Sequence, residues 1–172
     1  MTQTNKIWKY GDNINTDYIY PGVFTYSLMN EQQMSTHAME GIDTDFMKYA
    51  SFGDLIVAGR NWGCGSSREQ AVKCLKARGI AGIIAKGFSR IFYRNAINEG
   101  LPIMVCAEAA DYIQAEMDVS FDTNTGVILA NGKTFHFVAY PLYVQDIINC
   151  GGLLPHVKAT LHRQGRLYKA RN

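Results

Sequence analysis

The sequence contains no apolar run near the roughly 18 residues that a membrane-spanning helix needs, so we expect no membrane partner. Residues 1–6 are polar and lack the apolar core of a signal peptide, which favours a cytoplasmic location. None of the four cysteines forms a Cys-x-x-Cys pair, and no set of zinc or iron–sulfur ligands is evident. We therefore expect this chain to hold no metal or cofactor of its own.

The composition is that of a globular protein with one principal domain. The chain has 172 residues, of which 47% are hydrophobic and 19% are charged. Its net charge of +2 is unevenly distributed, because the segment after Pro155 carries five cations and no acid: Lys158, Arg163, Arg166, Lys169 and Arg171. We divide the chain into a domain at 1–155 and a basic C-terminal tail at 156–172, which is either a solvated terminus or a contact for nucleic acid or an acidic partner.

A glycine-rich turn joins a predicted strand to a predicted helix near the middle of the chain. Residues 54–58 have the pattern of a buried strand, and residues 71–78 have the apolar spacing of a helix. Gly63 and Gly65 in the turn allow backbone angles that a Cβ would forbid. Ser66, with an acidic residue three positions later, matches a capping box, so Ser66 is the predicted N-cap.

Ser67 and Arg68 follow in the predicted first turn, where free backbone N–H groups and the helix dipole favour an anion. The Arg68 fork is suited to a carboxylate. An ordinary helix start is the structural alternative, and a reactive Cys64 thiol is a weaker chemical one. Nucleotide binding is disfavoured, because Arg68 occupies the third small position of a dinucleotide fingerprint and residues 83–86 end in Lys rather than an acid.

A second polar loop lies near the start of the chain. Residues 13–22 are dense in Asn, Asp, Thr, Pro and Gly, with apolar residues interleaved, which predicts an anchored loop rather than a linker. Asp17 is its candidate functional residue. A helix cap or an Asx-turn is the structural alternative for Asp17.

The remaining pattern predicts an α/β fold with a mixed sheet, whose parallel βαβ centre is followed by antiparallel additions. Ser89 is the predicted cap of a helix at 90–99, with Gly100 just beyond its end. Asn131-Gly132 between two apolar runs predicts a hairpin. The predicted elements are strands at 80–85, 101–106, 119–122, 126–130 and 133–138, and a short helix at 144–150.

Three motifs in this order resemble the small subunit of 3-isopropylmalate dehydratase, the separate swivel-domain chain of the aconitase superfamily. They are Asn15-Thr16-Asp17, residues 59–71 and residues 85–96, and residues 151–155 also fit. The resemblance implies a swivelling β/β/α fold and a subunit of a hydro-lyase that dehydrates and rehydrates a hydroxy dicarboxylic acid. It also implies that a [4Fe-4S] cluster lies in a partner large subunit, with which this chain forms a heterodimer or heterotetramer.

The resemblance further implies roles for the residues of these motifs. Ser66 matches the catalytic base, Arg68 matches the arginine that holds a substrate carboxylate, and Ser67 and Asp17 are expected at the substrate. An alkoxide of Ser66 needs positive charge and N–H donors nearby, because a neutral serine is a poor base.

The segment after Pro21-Gly22 matches the position of the substrate-specificity loop, and its residues are Val23, Phe24, Thr25, Tyr26, Ser27 and Leu28. The loop has no arginine, which disfavours homoaconitate, and its apolar residues favour a small or apolar substituent. Isopropylmalate, in leucine biosynthesis, is the predicted substrate, with 2,3-dimethylmalate and citramalate as alternatives. An anion- or RNA-binding module is the non-enzymatic alternative, although the chain lacks the aromatic–basic interleaving of an RNA platform.

Overall fold

The computed structural model of the chain describes residues 5–27 and 29–163. Leu28 of the predicted specificity loop and the end of the predicted tail, residues 164–172, lie outside the described residues. The described elements are β1 Ile7–Lys9, α1 Thr16–Ile19, a 3-10 helix Gly22–Phe24, α2 Glu31–Ser35, α3 Thr44–Tyr49, β2 Leu55–Ala58, α4 Gln70–Ala77, β3 Gly82–Ala85, α5 Arg90–Glu99, β4 Ile103–Val105, α6 Ala107–Tyr112, β5 Val119–Asp122, β6 Val127–Ala130, β7 Lys133–His136, α7 Leu142–Asn149 and α8 Leu153–Arg163.

The centre of the fold is a four-stranded parallel sheet in the order β1-β2-β3-β4. β2 and β3 are buried along their whole length, as their continuous apolar runs predict. Ile56 pairs with Ile83, and Ile83 pairs in turn with Ile103. Because consecutive strands are parallel neighbours, their carboxyl ends lie along one edge of the sheet.

The two faces of this sheet support two separate cores. Ile56 and Ile83 face a helical layer that includes Val72 of α4 and Phe92 of α5. The residues that alternate with them, such as Ile84, face the antiparallel sheet and α6. The result is a three-layer β/β/α arrangement, which confirms the predicted α/β class. The single mixed sheet that we expected is instead divided into a parallel sheet and a separate antiparallel sheet.

The antiparallel strands form a sheet of their own, in the order β5-β6-β7, rather than extending the parallel sheet. Ile128 and Phe135 on one face of this sheet are buried against Ile84 and Met104 of the parallel strands. The strands join this core by packing face to face, so they need no backbone pairing with the parallel sheet. The predicted hairpin is confirmed, because Asn131 and Gly132 both have positive φ, at 45° and 80°.

The helix predicted at 90–99 is confirmed in full as α5. The Ser89 side chain accepts a hydrogen bond from the backbone N–H of Phe92 at 3.3 Å, and Gly100 ends the helix with φ of 73°. The C-terminal helix α8 spans Leu153–Arg163, so the domain division that we placed at 155 falls inside a helix. Among the described residues, no helix combines the length and apolar character that a membrane crossing requires.

The predicted capping role of Ser66 is wrong. α4 begins at Gln70, and its N-cap is Glu69, whose side chain makes no capping hydrogen bond. The Ser66 hydroxyl is instead engaged by Thr16 and Arg68. A local capping rule could not anticipate this, because Thr16 lies 50 residues away in the chain.

Candidate active site

The candidate site lies at the carboxyl edge of the parallel sheet, where the loops after β1, β2 and β3 converge. Gly63 donates its backbone N–H to the carbonyl of Ile14 at 2.7 Å, and Thr16 donates to the carbonyl of Cys64 at 2.8 Å. Ser89, after β3, donates its N–H to the carbonyl of Trp62 at 2.9 Å. Backbone hydrogen bonds therefore hold the three loops together, at the edge where open α/β sheets bind ligands.

Two glycines make this convergence possible. Gly63 has φ of 71°, and a Cβ added there would overlap the ring of Phe92. Gly65 has φ of 98°, and a Cβ there would lie 3.2 Å from Thr16 Oγ1. The backbone between them therefore passes closer to α5 and to the Thr16 loop than any larger residue would allow.

Ser66 is exposed at this edge, and two side chains contact its hydroxyl oxygen. Arg68 Nε donates to Ser66 Oγ at 2.5 Å, and Thr16 Oγ1 lies 3.0 Å from the same oxygen. Thr16 Oγ1 also accepts the backbone N–H of Ser66 at 3.1 Å, which leaves the Thr16 proton free to be donated to Ser66 Oγ. Two donors, one of them charged, favour the alkoxide form of Ser66 over the neutral hydroxyl.

Arg68 is positioned by three different partners. Besides Ser66, its Nη1 donates to the carbonyl of Tyr20 at 2.9 Å, and its Nη2 lies 2.7 Å from Asp17 Oδ1. The Arg68 side chain is only 12% exposed, whereas that of Asp17 is 59% exposed. Each Nη atom carries a second N–H with no acceptor in the described part of the chain, so the fork retains donors for a further carboxylate.

Asn15 and Tyr20 complete the loop that carries Asp17. Asn15, not Asp17, caps α1, because its side chain accepts the backbone N–H groups of Asp17 and Tyr18 at 2.8 and 3.1 Å. Asp17 therefore keeps its carboxylate for Arg68. Burial raises the pKa of Tyr20 above its ordinary value.

Ser67 and the predicted specificity loop lie at the same edge, with different degrees of exposure. Ser67 is exposed, and its carbonyl accepts Asn95 Nδ2 at 3.5 Å. An added Cβ on Gly22, at the start of the loop, would lie 3.0 Å from Asp17 Oδ1 and 3.2 Å from Arg68 Nη1, so the loop begins directly beside the ion pair.

Within the loop, Val23 and Tyr26 are 78% and 95% exposed, and Ser27 is also exposed. Phe24 is half-buried and turns inward, where it stacks on His37 with 3.8 Å between ring centroids. Thr25 has a buried hydroxyl without a hydrogen-bond partner among the described residues. The loop therefore offers Val23 and Tyr26 to a ligand or partner and uses Phe24 as its internal anchor.

The structure thus brings both Asp17 and Ser66 into direct contact with Arg68, and Ser67 lies between Ser66 and Arg68 in the chain. Sequence reasoning gave no role to Thr16, which is 1% exposed and bonds to Ser66 through its hydroxyl. Thr16 belongs to the Asn15-Thr16-Asp17 motif, and a hydroxyl residue inside a candidate site loop is the signal that could have identified it.

The described residues do not fit a metal centre. Within 5–27 and 29–163, no group of three or more His, Cys, Asp and Glu side chains is placed to hold a metal ion. Cys74 is buried, and burial raises the pKa of its thiol, which disfavours a thiolate ligand.

A family model agrees with this geometry. The model of the aconitase C-terminal domain matches residues 12–108, which include the loops of Asp17 and Ser66 and all of α5. The chain belongs to the aconitase family.

Named relatives define its class further. The chain is 45% identical over 159 residues to the 3-isopropylmalate dehydratase small subunit of Syntrophus aciditrophicus, covering 91% of this chain and 96% of the relative. It is 44% identical over 162 residues to the 2,3-dimethylmalate dehydratase small subunit of Eubacterium barkeri, covering 93% and 99%. A crystal structure of 3-isopropylmalate dehydratase from Methanocaldococcus jannaschii matches with a TM-score of 0.86 and 38% identity, covering 94% of this chain and 96% of that one. Within the aconitase family, the chain is a small subunit of the hydro-lyase type.

Proposed function

We propose that this chain supplies the base and a carboxylate-binding arginine to a hydro-lyase whose substrate is a hydroxy dicarboxylic acid. The observation that carries the proposal is the 2.5 Å contact from Arg68 Nε to an exposed Ser66 Oγ. A serine hydroxyl held by a guanidinium at an open edge is suited to proton abstraction, because the positive charge lowers the free energy of the alkoxide.

In the proposed reaction, the Ser66 alkoxide removes the proton from the carbon α to a substrate carboxylate. The electron pair of the broken C–H bond becomes the C=C bond, and the hydroxyl leaves from the neighbouring carbon. Arg68 binds the carboxylate through its unused N–H groups, which favours the negative charge that builds up there. Ser67 donates a hydrogen bond from its hydroxyl to the same carboxylate. Asp17 fixes the position of the Arg68 guanidinium and itself lies against the substrate.

We assign the acid for the departing hydroxyl to a partner chain, because Ser66, Ser67, Arg68 and Asp17 already have other roles in the proposed reaction. The [4Fe-4S] cluster that the family resemblance implies therefore belongs to a large subunit, with which this chain assembles as a heterodimer or heterotetramer. The exposed edge at Ser66 supports this division, because a base so open to water needs a second chain to exclude it.

3-Isopropylmalate, interconverted with 2-isopropylmalate in leucine biosynthesis, is the first candidate substrate. The exposed apolar residues Val23 and Tyr26 support a substrate with an apolar substituent. A second candidate is 2,3-dimethylmalate, which is favoured by the 44% identity to a small subunit named for that substrate. The two acids differ in the size of the group that the loop at residues 22–27 would contact.

Anaerobic reconstitution with the cluster-bearing large subunit tests the proposal. We expect the complex, but neither subunit alone, to produce an ultraviolet-absorbing unsaturated acid from 3-isopropylmalate. The panel would include 2,3-dimethylmalate, citramalate and homoaconitate at equal concentrations, and the highest kcat/KM would identify the substrate. A reconstituted complex that dehydrates none of these acids would contradict the proposed function.

A further inference from the structure

We propose that the exposed side of α5, together with the start of α7, is the surface on which the large subunit docks. This α5 surface consists of Arg90, Ile91, Tyr93, Arg94, Leu142 and Tyr143. The inference rests on the proposed function, because its partner is the cluster-bearing subunit. Beyond the proposed function, the inference specifies where the large subunit binds and which kinds of side chain it must present there.

The α5 surface is continuous with the edge that carries Ser66. Two adjoining clefts of about 580 and 480 Å³ share the side chains of Phe88, Arg90 and Arg94. The larger cleft reaches Gly65, the residue directly before Ser66. A chain that covers the Ser66 edge therefore also meets the first turns of α5.

Two side-chain hydrogen bonds join α5 and its cap to the site loop. Ser89 Oγ, at the cap of α5, donates to the carbonyl of Gly63 at 2.6 Å. From the second turn of the helix, Asn95 Nδ2 reaches the carbonyl of Ser67 at 3.5 Å. A partner bound on α5 would consequently have a fixed position relative to Ser66 and Arg68.

The apolar content of this surface is high for a face that meets water. Ile91 and Tyr93 are 46% and 38% exposed, while Leu142 and Tyr143 on α7 are 79% and 68% exposed. Isolated exposed apolar residues are ordinary, but adjoining ones beside two clefts are typical of interaction sites. Tyrosine and arginine are also the residues that protein interfaces favour.

The charges on this surface lack partners in the described chain. Neither Arg90 nor Arg94 has a carboxylate within 4.0 Å among residues 5–27 and 29–163. By contrast, Arg68 and Lys73 both pair with acids, at 2.7 and 3.1 Å. Two unpaired guanidinium groups amid apolar side chains predict acidic side chains on the partner.

The same charges argue against a second copy of this chain as the occupant. A symmetric dimer through the α5 surface would place Arg90 and Arg94 against the same surface of the other copy, which as defined contains two arginines and no acidic residue. Like charges in an interface are unfavourable. The large subunit is the occupant that also has to cover Ser66.

A charge-reversal pair tests the docking surface. Arg90→Glu/Arg94→Glu is compared with Lys48→Glu/Lys133→Glu, which makes the same change in net charge at exposed positions on α3 and β7. Glutamate at position 90 lies in the first turn of α5, where a negative charge suits the helix dipole, so the fold is expected to survive. Far-ultraviolet circular dichroism checks this, and Arg90→Gln/Arg94→Gln serves if the reversed variant is not folded.

Binding to the purified holo large subunit is measured by surface plasmon resonance at low and high ionic strength. We expect the α5 variant to bind at least about tenfold more weakly than the parent at low salt, mainly through slower association, with a smaller salt dependence. The control pair should bind as the parent does. At saturating large subunit, the α5 variant should recover the parent kcat, because the proposed reaction gives neither arginine a role at the substrate.

Each outcome has a distinct meaning. If the parent fails to bind the large subunit, the proposed function itself fails. If the parent binds and both variant pairs bind equally well, the α5 surface is not the docking site, although the proposed function stands. Unchanged large-subunit binding combined with lost binding to heparin would assign the arginines to a polyanion and overturn the inference.

Discussion

The two sides of the parallel sheet are equally well buried but serve different purposes. Ile83 and Ile84 are neighbours in β3 and are both fully buried, yet Ile83 faces the helices and Ile84 faces the antiparallel sheet. On the helical side, the loops of Asp17 and Ser66 extend past the core and carry polar groups in contact with one another. On the other side, β5 to β7 provide an apolar cover. The polar groups of the site and the antiparallel sheet that covers the second core therefore lie on opposite sides of one parallel sheet.

Ser66→Ala should have the largest effect and should be confined to catalysis. We expect kcat of the reconstituted complex to fall by about 10³-fold, within the range of general acid–base groups, because alanine removes the proposed base. The folded state should be little affected, since Ser66 is exposed and does not cap α4. Turnover and thermal unfolding are measured in parallel.

Ser120→Ala on β5 is the matched control for Ser66→Ala. It removes an exposed hydroxyl from the antiparallel sheet, and both turnover and stability should stay unchanged. Near-full turnover by the Ser66→Ala complex would refute the assignment of the base.

Ile128→Ala should give the opposite pattern. Ile128 is fully buried in β6, so its truncation should lower the free energy of unfolding by about 3 kcal/mol through lost burial and a cavity. The midpoint of urea unfolding measures the change. In the absence of urea, where the variant is folded, its kcat should match that of the parent, because the site loops lie on the other side of the parallel sheet.

Leu129→Ala provides the control for Ile128→Ala, because the side chain of Leu129 is 42% exposed on the opposite face of the same strand. It should cost less than about 1 kcal/mol of stability. If Ile128→Ala also lowered kcat, by an amount that corresponds to a similar free energy, the two sides of the sheet would be coupled.

Arg68→Lys should have the smallest of the three effects. Lysine keeps the positive charge but lacks the planar fork that reaches Ser66, Tyr20 and Asp17 together. We expect about a 10²-fold loss of kcat, together with a higher KM, because both the base and the bound carboxylate lose donors. Steady-state kinetics of the reconstituted complex provide the measurement.

Arg163→Lys at the exposed end of α8 is the control for this substitution. Parent-like kinetics for both lysine variants would mean that the fork geometry at position 68 does not matter. If only Arg68→Lys lost activity, the loss would be specific to position 68 and not a general effect of replacing arginine by lysine.

Local patterns predicted the parts of the fold that short-range chemistry determines. α5 begins and ends where Ser89 and Gly100 predict, because capping and left-handed geometry depend on neighbouring residues. The Asn131-Gly132 hairpin follows from the same kind of rule. The apolar runs of β2 and β3 likewise predicted buried parallel strands.

The geometry of the site depends on contacts between residues far apart in the sequence, which local rules do not predict. The Ser66 hydroxyl was predicted to cap α4, but Thr16 and Arg68 contact it instead. The Asp17 ion pair and the Tyr20 carbonyl meet Arg68 across about fifty positions of chain. The resemblance to a family named Asp17, Ser66, Ser67 and Arg68 together, whereas their mutual geometry and the part played by Thr16 became visible only in the fold.

The hairpin at Asn131-Gly132 has a practical use. An added Cβ on Gly132 would meet no atom of the described residues within 4 Å. The turn belongs to the antiparallel sheet, which packs on the side of the parallel sheet opposite to α5. Short peptides inserted at such exposed tips are commonly tolerated. A fluorophore or affinity tag placed there would report on subunit assembly without obstructing the reaction edge.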